Sequence, residues 1–297
     1  MKKIKKNALR KDFYMEIRKS MGRFLSIFFI VSLGASLFVG IAATEPDMVL
    51  SGDAYADENK LMDLKVVSTY GLTEDDLEVI GRLPAIESVA GSYSTDVLCE
   101  IGDNMRVLHV MSEIEDMNLI TVVDGRLPKR ANECLVDADF LAGSEYEIGD
   151  TIELVSGTDA ELTETLAYTK LNIVGSGDSP LYFSFDRGSS TIGNGSVSGF
   201  LVVAPEAFVL DVYTEMYATV DGAEDVLSFT EEYDELIDEA LEQIALVQNA
   251  RCEVRRDNLA AEAQLQVDDA RNELNSKKEE MFNNDGSDQE VIYNISA

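Results

Sequence analysis

The sequence predicts an α+β protein with one N-terminal transmembrane helix, a mixed extracytoplasmic α+β domain and a long coiled-coil-like helix. Three observations predict it. Residues 24–43, FLSIFFIVSLGASLFVGIAA, form an uncharged apolar run of 20 residues, the length of helix that crosses a hydrocarbon core of ~30 Å. Residues 44–222 interleave short β-branched segments with short helical signals, the pattern of an α+β domain. Residues 223–285 contain no Gly or Pro and are rich in Glu, Asp, Ala, Leu and Gln, which suits one continuous helix.

Ahead of the apolar run, residues 1–23 carry Lys2, Lys3, Lys5, Lys6, Arg10, Lys11, Arg18, Lys19 and Arg23 against only Asp12 and Glu16. Basic flanks stay on the cytoplasmic side of a span, so the N-terminus is expected inside and residues 44–297 outside the cytoplasm. A cleaved signal peptide competes, with Gly40 and Ala42 as small residues before a cut, but its apolar region is usually shorter than this one. Within the flank, Leu9, Phe13, Ile17 and Met21 recur every four residues between basic side chains. That spacing makes an apolar stripe on an interfacial helix lying against anionic membrane lipid; a disordered basic tail is the other reading. Inside the span, Ser32, Ser36 and Gly40 repeat every four residues, a ridge of small residues that lets another membrane helix approach closely.

The whole chain has a formal charge of −32, so the part after the basic flank is more acidic still, and nucleic acid is excluded as a partner because its phosphates would be repelled. Its 297 residues hold one or two compact domains. Cys99, Cys134 and Cys252 are an odd set without C-x-x-C spacing: Cys99 and Cys134 either pair outside the cell or all three are isolated thiols. A single histidine, His109, argues against a zinc site. Asn283, Asp285 and Asp288 loosely follow a calcium loop but lack its distal Glu, and a solvated helix end suits them better. No cofactor is expected.

After Pro46 the chain is polar and acidic to residue 62 and reads as a stalk leaving the membrane. Leu64–Tyr70 reads as a strand. Thr73 begins T-E-D-D, where its hydroxyl caps a helix with Asp76 in the first turn; this helix should stop before Pro84. Residues 86–113 are strand-like, with a hairpin break at Gly102–Asp103. Residues 124–128, D-G-R-L-P, read as a turn. Glu133–Asp137 is a short strand followed by a helical turn at Ala138–Leu141, and Thr151–Val155, Leu166–Gly175, Gly199–Val203 and Val212–Val220 are further strands, with a short helix at Pro205. The stretch 188–199, GSSTIGNGSVSG, reads as a flexible loop between strands, with a backbone nest for an anion as the other reading; it lacks the lysine of a phosphate loop and the G-x-G-x-x-G that opens a dinucleotide helix.

In residues 223–285, Tyr233, Ile237, Ala240, Ile244 and Val247 keep a three/four spacing, continued more loosely by Leu259, Ala263, Val267, Ala270, Leu274 and Met281 and interrupted by Arg251, Arg255 and Arg256. One narrow stripe does not stabilise a helix of ~60 residues alone. A coiled-coil face is therefore expected at Tyr233, Ile237, Ala240, Ile244 and Val247, meeting an antiparallel second arm or a second copy as a homodimer. A lone charged helix held by i,i+4 pairs is the alternative. Residues 286–297 read as a polar tail, and the chain looks unfinished where a returning arm would begin.

The segments K-S-M-G-R-F-L-S-I-F (19–28), L-K-V-V-S-T-Y-G-L-T (64–73), D-G-R-L-P (124–128), E-I-G-D-T-I-E-L (147–154), V-G-S-G-D-S-P-L-Y-F (174–183) and V-Y-T-E-M-Y (212–217) together resemble the N-terminal part of bacterial ABC transporter permeases of the FtsX/MacB-like class. None of these segments is a catalytic motif. The resemblance implies a MacB-like outer core domain over residues 44–222, a place in the bacterial cell membrane, and a cytoplasmic ABC ATPase and further permease spans as partners. It implies coupling of that ATPase to the outer domain for export or mechanotransmission, with ATP hydrolysis in the separate subunit. The alternative is a stand-alone single-pass protein that binds a partner through its outer coiled coil. No nucleophile motif such as G-x-S-x-G is present, and no catalytic, cofactor-binding or metal-binding residue is assigned.

Overall fold

The computed structural model describes residues 6–102, 104–184 and 186–295, with side chains from residue 10 to residue 280 of these. Helix α1 (Lys6–Lys19) ends at Ser20, whose hydroxyl donates back to the Glu16 carbonyl at 3.0 Å. Helix α2 then runs unbroken from Met21 to Glu58. Residues 44–58, expected as a polar stalk, are thus the upper part of the same helix. Pro46 lies inside it; a proline removes one backbone hydrogen bond, and its neighbours carry the helix past that point. The Thr44 hydroxyl bonds the Gly40 carbonyl at 2.9 Å one turn below it.

The body holds two sheets. The smaller has the order β1 (Leu64–Leu72), β10 (Tyr213–Val220), β2 (Ile86–Ser92), antiparallel throughout. Helix α3 (Glu74–Gly81) connects β1 to β2 and starts with the expected capping box: the Thr73 N–H and hydroxyl both donate to the Asp76 carboxylate at 2.8 Å. Leu64, Leu72, Ile80, Ile86, Met216, Ala218 and Val220 fill the core between this sheet and its helices.

The larger sheet contains β3 (Ser94–Ile101), β4 (Asn104–Ser112), β5 (Thr121–Gly125), β6 (Glu133–Asp137), β7 (Thr151–Val155), β8 (Lys170–Asp178) and β9 (Val197–Val203), in the order β5-β8-β6-β9-β4-β3-β7. Strand β7 also pairs with β8. Six strands therefore close on themselves, with β5 added along β8, and closure removes the open edges that would otherwise invite aggregation. Val97, Leu108, Val136, Ile152, Leu171, Ile173, Leu201 and Val203 line the interior, each fully buried apolar side chain contributing roughly 1.5–3 kcal/mol. The β3–β4 hairpin turns at Gly102, φ +56°, as its sequence predicts. Helix α4 (Ala138–Ala142) follows β6.

Several expected boundaries move. The strand expected at 166–175 is β8, shifted to 170–178, because Leu162–Glu164 forms a 3-10 turn and Leu166 instead bridges Phe208. The turn expected at 124–128 is partly strand: β5, which the sequence did not announce, includes Asp124 and Gly125, and only residues 126–128 lie beyond it. The long helix α5 is Glu231–Ile295, not 223–285: Ala223–Asp225 is a short 3-10 turn with Ala223 packed in the core. At its other end α5 passes Gly286, so the stretch expected as a polar tail from residue 286 is helical backbone to Ile295. The side chains of Asn283, Asp285 and Asp288 lie outside the described residues.

Tyr93 alone separates β2 from β3 and so joins the two sheets. Its ring stacks between Phe208 and Tyr213, with centroids at 5.4 and 4.9 Å, and its N–H donates to the Ser112 hydroxyl at 3.0 Å.

Candidate functional site

Helix α2 is the one described helix long and apolar enough to cross a membrane. Its lower part is bare in the described residues: Ile30, Leu33, Leu37, Phe38 and Ile41 are 64–74% exposed. So many large apolar side chains in water are costly at about 25 cal/mol per Å². Ser32, Ser36 and Gly40 lie on one side of this helix by their spacing, and a Cβ added at Gly40 would meet nothing within 4 Å. On α1, Phe13 is exposed, Ile17 half-buried and Met21 begins α2; the Leu9 side chain lies outside the described residues.

The upper end of α2 is fastened to both sheets and to the base of α5. Asn59 is buried. Its carbonyl accepts from the Leu119 N–H at 2.9 Å, and its side-chain oxygen accepts from the Thr121 hydroxyl at 3.2 Å. The Lys60 carbonyl accepts from the Asn118 N–H at 2.8 Å, and the Asn118 side chain accepts from the Met62 N–H at 2.9 Å. These bonds tie the helix exit to the β4–β5 loop of the large sheet.

Asp63 ties it to the small sheet and to α5. Its N–H donates to the Ala218 carbonyl at 3.0 Å, while its carboxylate accepts from the Val220 N–H at 2.8 Å and from the Tyr233 hydroxyl at 2.7 Å. Burial and the adjacent Asp63 push the Tyr233 phenol upward, so it stays a donor. One turn down α2, the Asp53 carboxylate accepts from the Ser228 N–H at 2.6 Å. Burial raises the Asp57 carboxyl, and the charges of Asp53, Glu224 and Asp63 raise it further.

Beyond this exit, α5 lies on the small sheet. Tyr233, Ile237 and Ile244 pack with Leu236 against its core, and Ala240 is fully buried there; Val247 is half-buried. The stripe expected to face a coiled-coil partner thus has its first part occupied by the chain's own body. The arginines that interrupt the stripe continue the contact. Arg251 bonds Asp76 at 2.7 Å, and Arg255 donates to the Tyr70 carbonyl at 3.0 Å. Burial opposes the Asp76 charge, but the Thr73 N–H, Arg251 and the Thr73 hydroxyl outweigh it and hold the carboxyl below its ordinary value. Further along, Leu265, Val267 and Leu274 are 52–64% exposed.

Cys99 and Cys134 are buried, Cys252 is exposed and all three are free thiols; burial pushes Cys134 up to about 12. His109 bonds Asp96 on the facing strand at 2.7 Å, and Asp96 also accepts from Ser190 of the glycine- and serine-rich loop. That loop is further held by Arg187, which pairs with buried Asp137 at 2.7 Å, so it is a fastened strap and not a loose connection. In D-G-R-L-P, Arg126 forks onto Glu133 at 2.8 and 2.9 Å. That pair and the Lys129 N–H hold Glu133 down to about 2. No group of metal-ligating side chains occurs among the described residues. The signal for Asp53, Asn59, Asp63 and Asn118 as anchor points was absent from the sequence, where each is one polar residue among many.

No protein-family model matches the chain, and no curated protein matches it. Among solved structures it is similar to two outer domains. One is the extracellular domain of the noncanonic ABC-type transporter YknZ from Gram-positive bacteria (11% identity, TM-score 0.34, covering 58% of this chain and 85% of that one). The other is the periplasmic region of MacB from Actinobacillus actinomycetemcomitans (12% identity, TM-score 0.34, covering 62% and 75%). The functional reading rests on the chain's own residues.

Proposed function

We propose that this chain is the anchored outer domain of an ABC transporter permease subunit of the FtsX/MacB-like class. In this reading α2 crosses the cell membrane with the basic α1 inside, its stripe of Leu9, Phe13, Ile17 and Met21 on the inner leaflet, and the two-sheet body outside. A cytoplasmic ATPase drives the motion, and α2 carries it to the body for export or mechanotransmission. The observation that carries the reading is the contrast along α2: a lower half of exposed apolar side chains, and an upper end bonded at once to both sheets and to α5. A helix built only to tether would not need the second feature. The ridge Ser32, Ser36 and Gly40 is where a neighbouring membrane helix packs.

Co-purification tests this. With Leu33→Lys, which places a charge in mid-span at a cost of about 3 kcal/mol, the chain should no longer co-purify with an ABC ATPase and its membrane partners. Retention of the ATPase at wild-type level would overturn the reading. A second reading, a stand-alone single-pass protein that captures a partner outside, is favoured by the bare apolar side chains Leu265, Val267 and Leu274 on α5. These suit a coiled-coil contact with a second arm or a second copy, and there partner capture depends on α5 and no ATPase is recovered with the wild-type chain.

A further inference from the structure

Where the two sheets meet lies a cavity of about 10 Å³, room for one water and for nothing larger. The small sheet gives its wall Ser92 of β2 and Tyr217 of β10, and the large sheet gives Ser112 of β4. Glu113, Asn118 and Ser179 complete the polar part of the wall.

Asn118 is the residue that calls for an occupant. Its backbone N–H is spent on the Lys60 carbonyl at 2.8 Å, and its side-chain oxygen on the Met62 N–H at 2.9 Å. The Met62 bond fixes which way round the amide sits and turns the NH2 group towards the cavity. Asn118 is only 6% exposed. Its Nδ2 is the one buried side-chain nitrogen or oxygen without a hydrogen-bond partner among the described residues. A buried donor left unbonded loses its hydration with no return, and folded proteins satisfy nearly all such groups.

The wall decides what kind of molecule can answer it. Nδ2 is a donor, which disfavours a cation beside it. Glu113 lies in the wall; burial raises its carboxyl and the charge of Glu115 raises it further, so an anion would meet carboxylate charge. What fits is small and neutral, accepting on one side and donating on the other. Acceptors are at hand. The Tyr217 hydroxyl donates to Glu215, which leaves its own oxygen to accept. The Ser112 oxygen takes the Tyr93 N–H at 3.0 Å and meets the Ser92 hydroxyl at 3.1 Å.

We propose that this cavity is a built site for a single water, which accepts from Asn118 Nδ2 and donates to hydroxyl oxygens of the wall. Buried waters of this kind make about three bonds. The water links the β4–β5 loop to residues of both sheets at a seam where direct side-chain bonds do not reach. It also gives a place to Ser179, 2% exposed, in V-G-S-G-D-S-P-L-Y-F. The site belongs to the outer body and stands whether or not the chain serves a transporter.

A crystal structure of the full chain in detergent, grown from a bromide salt and at a resolution that shows ordered water, tests the site. The expected result is one peak without anomalous signal, within about 3.2 Å of Asn118 Nδ2 and of at least one hydroxyl oxygen of the wall. An anomalous peak would make this an anion site, and a cavity without any peak would remove the ligand; either overturns the proposal. Radiolytic labelling of the full chain in lipid nanodiscs, which marks side chains beside bound water, tests it free of a lattice. Met111 lines the cavity and Met117 does not, and both are buried. Met111 should be oxidised several-fold faster than Met117, and equal rates would overturn the proposal. Neither measurement bears on co-purification with an ATPase, so the two failures are distinguishable.

Discussion

Asp76 illustrates how much one side chain can carry. It closes the capping box of α3 and also receives Arg251 from α5, so a local helix signal and a long-range docking contact share one carboxylate. Asp76→Ala should cost about 2–3 kcal/mol, the loss of a cap together with a partner left for a half-buried arginine, read as a lower midpoint in chemical unfolding of the full chain in detergent. The pH dependence follows from the direction of its shift. A carboxyl held below its ordinary value stabilises the fold fully above the unfolded-state pKa near 3.8. That contribution fades as pH falls through the depressed folded value. The wild type should therefore lose stability on acidification below about pH 4 more steeply than Asp76→Asn; equal slopes would show that Asp76 is not the group responsible. The capping box was legible because Thr73 and Asp76 are three residues apart. Asp63, which makes three tertiary bonds, was not: its partners Ala218, Val220 and Tyr233 are more than 150 residues away, and no local spacing records them.

Among the elements, legibility followed the nature of the signal. Strands β6 and β7 lie where their β-branched runs put them. Strand β5 went unread because its five residues are all exposed and show no alternation between a buried and a free face. The upper part of α2 went unread because Pro46 and the acidic residues look like a stalk. The most instructive case is α5, whose helix was plain and whose partner was not. A three/four stripe states that one face is buried, not against what, and here the small sheet covers its first part. The arginines in the stripe were a clue, since Arg251 reaches Asp76 of α3 and Arg255 the Tyr70 carbonyl of that same sheet. Ile237→Asp would set a charge against Met216 and its neighbours; it should cost about 2 kcal/mol or more and free the base of α5 to exchange backbone hydrogens. Protection of α5 equal to wild type in that variant would show that the helix is held by something other than this face.

The whole molecule divides along α2. Below residue 43 the helix is apolar and its described side chains are exposed; above it the chain is acidic, double-sheeted and locked to the helix end. The sequence showed this division, since charge and hydropathy change where the fold does. The closure of six strands into one barrel was hidden, because a period of two identifies faces and leaves pairing unstated.

The central claim is that the body lies outside the membrane while α1 lies inside, and the cysteines provide the probe. Cys252 on α5 is exposed, whereas Cys99 and Cys134 are buried in the large sheet. A membrane-impermeant maleimide applied to intact cells should label the chain once, at Cys252, and Cys252→Ser should abolish the label. Labelling of Cys252 only after the cells are broken would place the body in the cytoplasm and contradict the account.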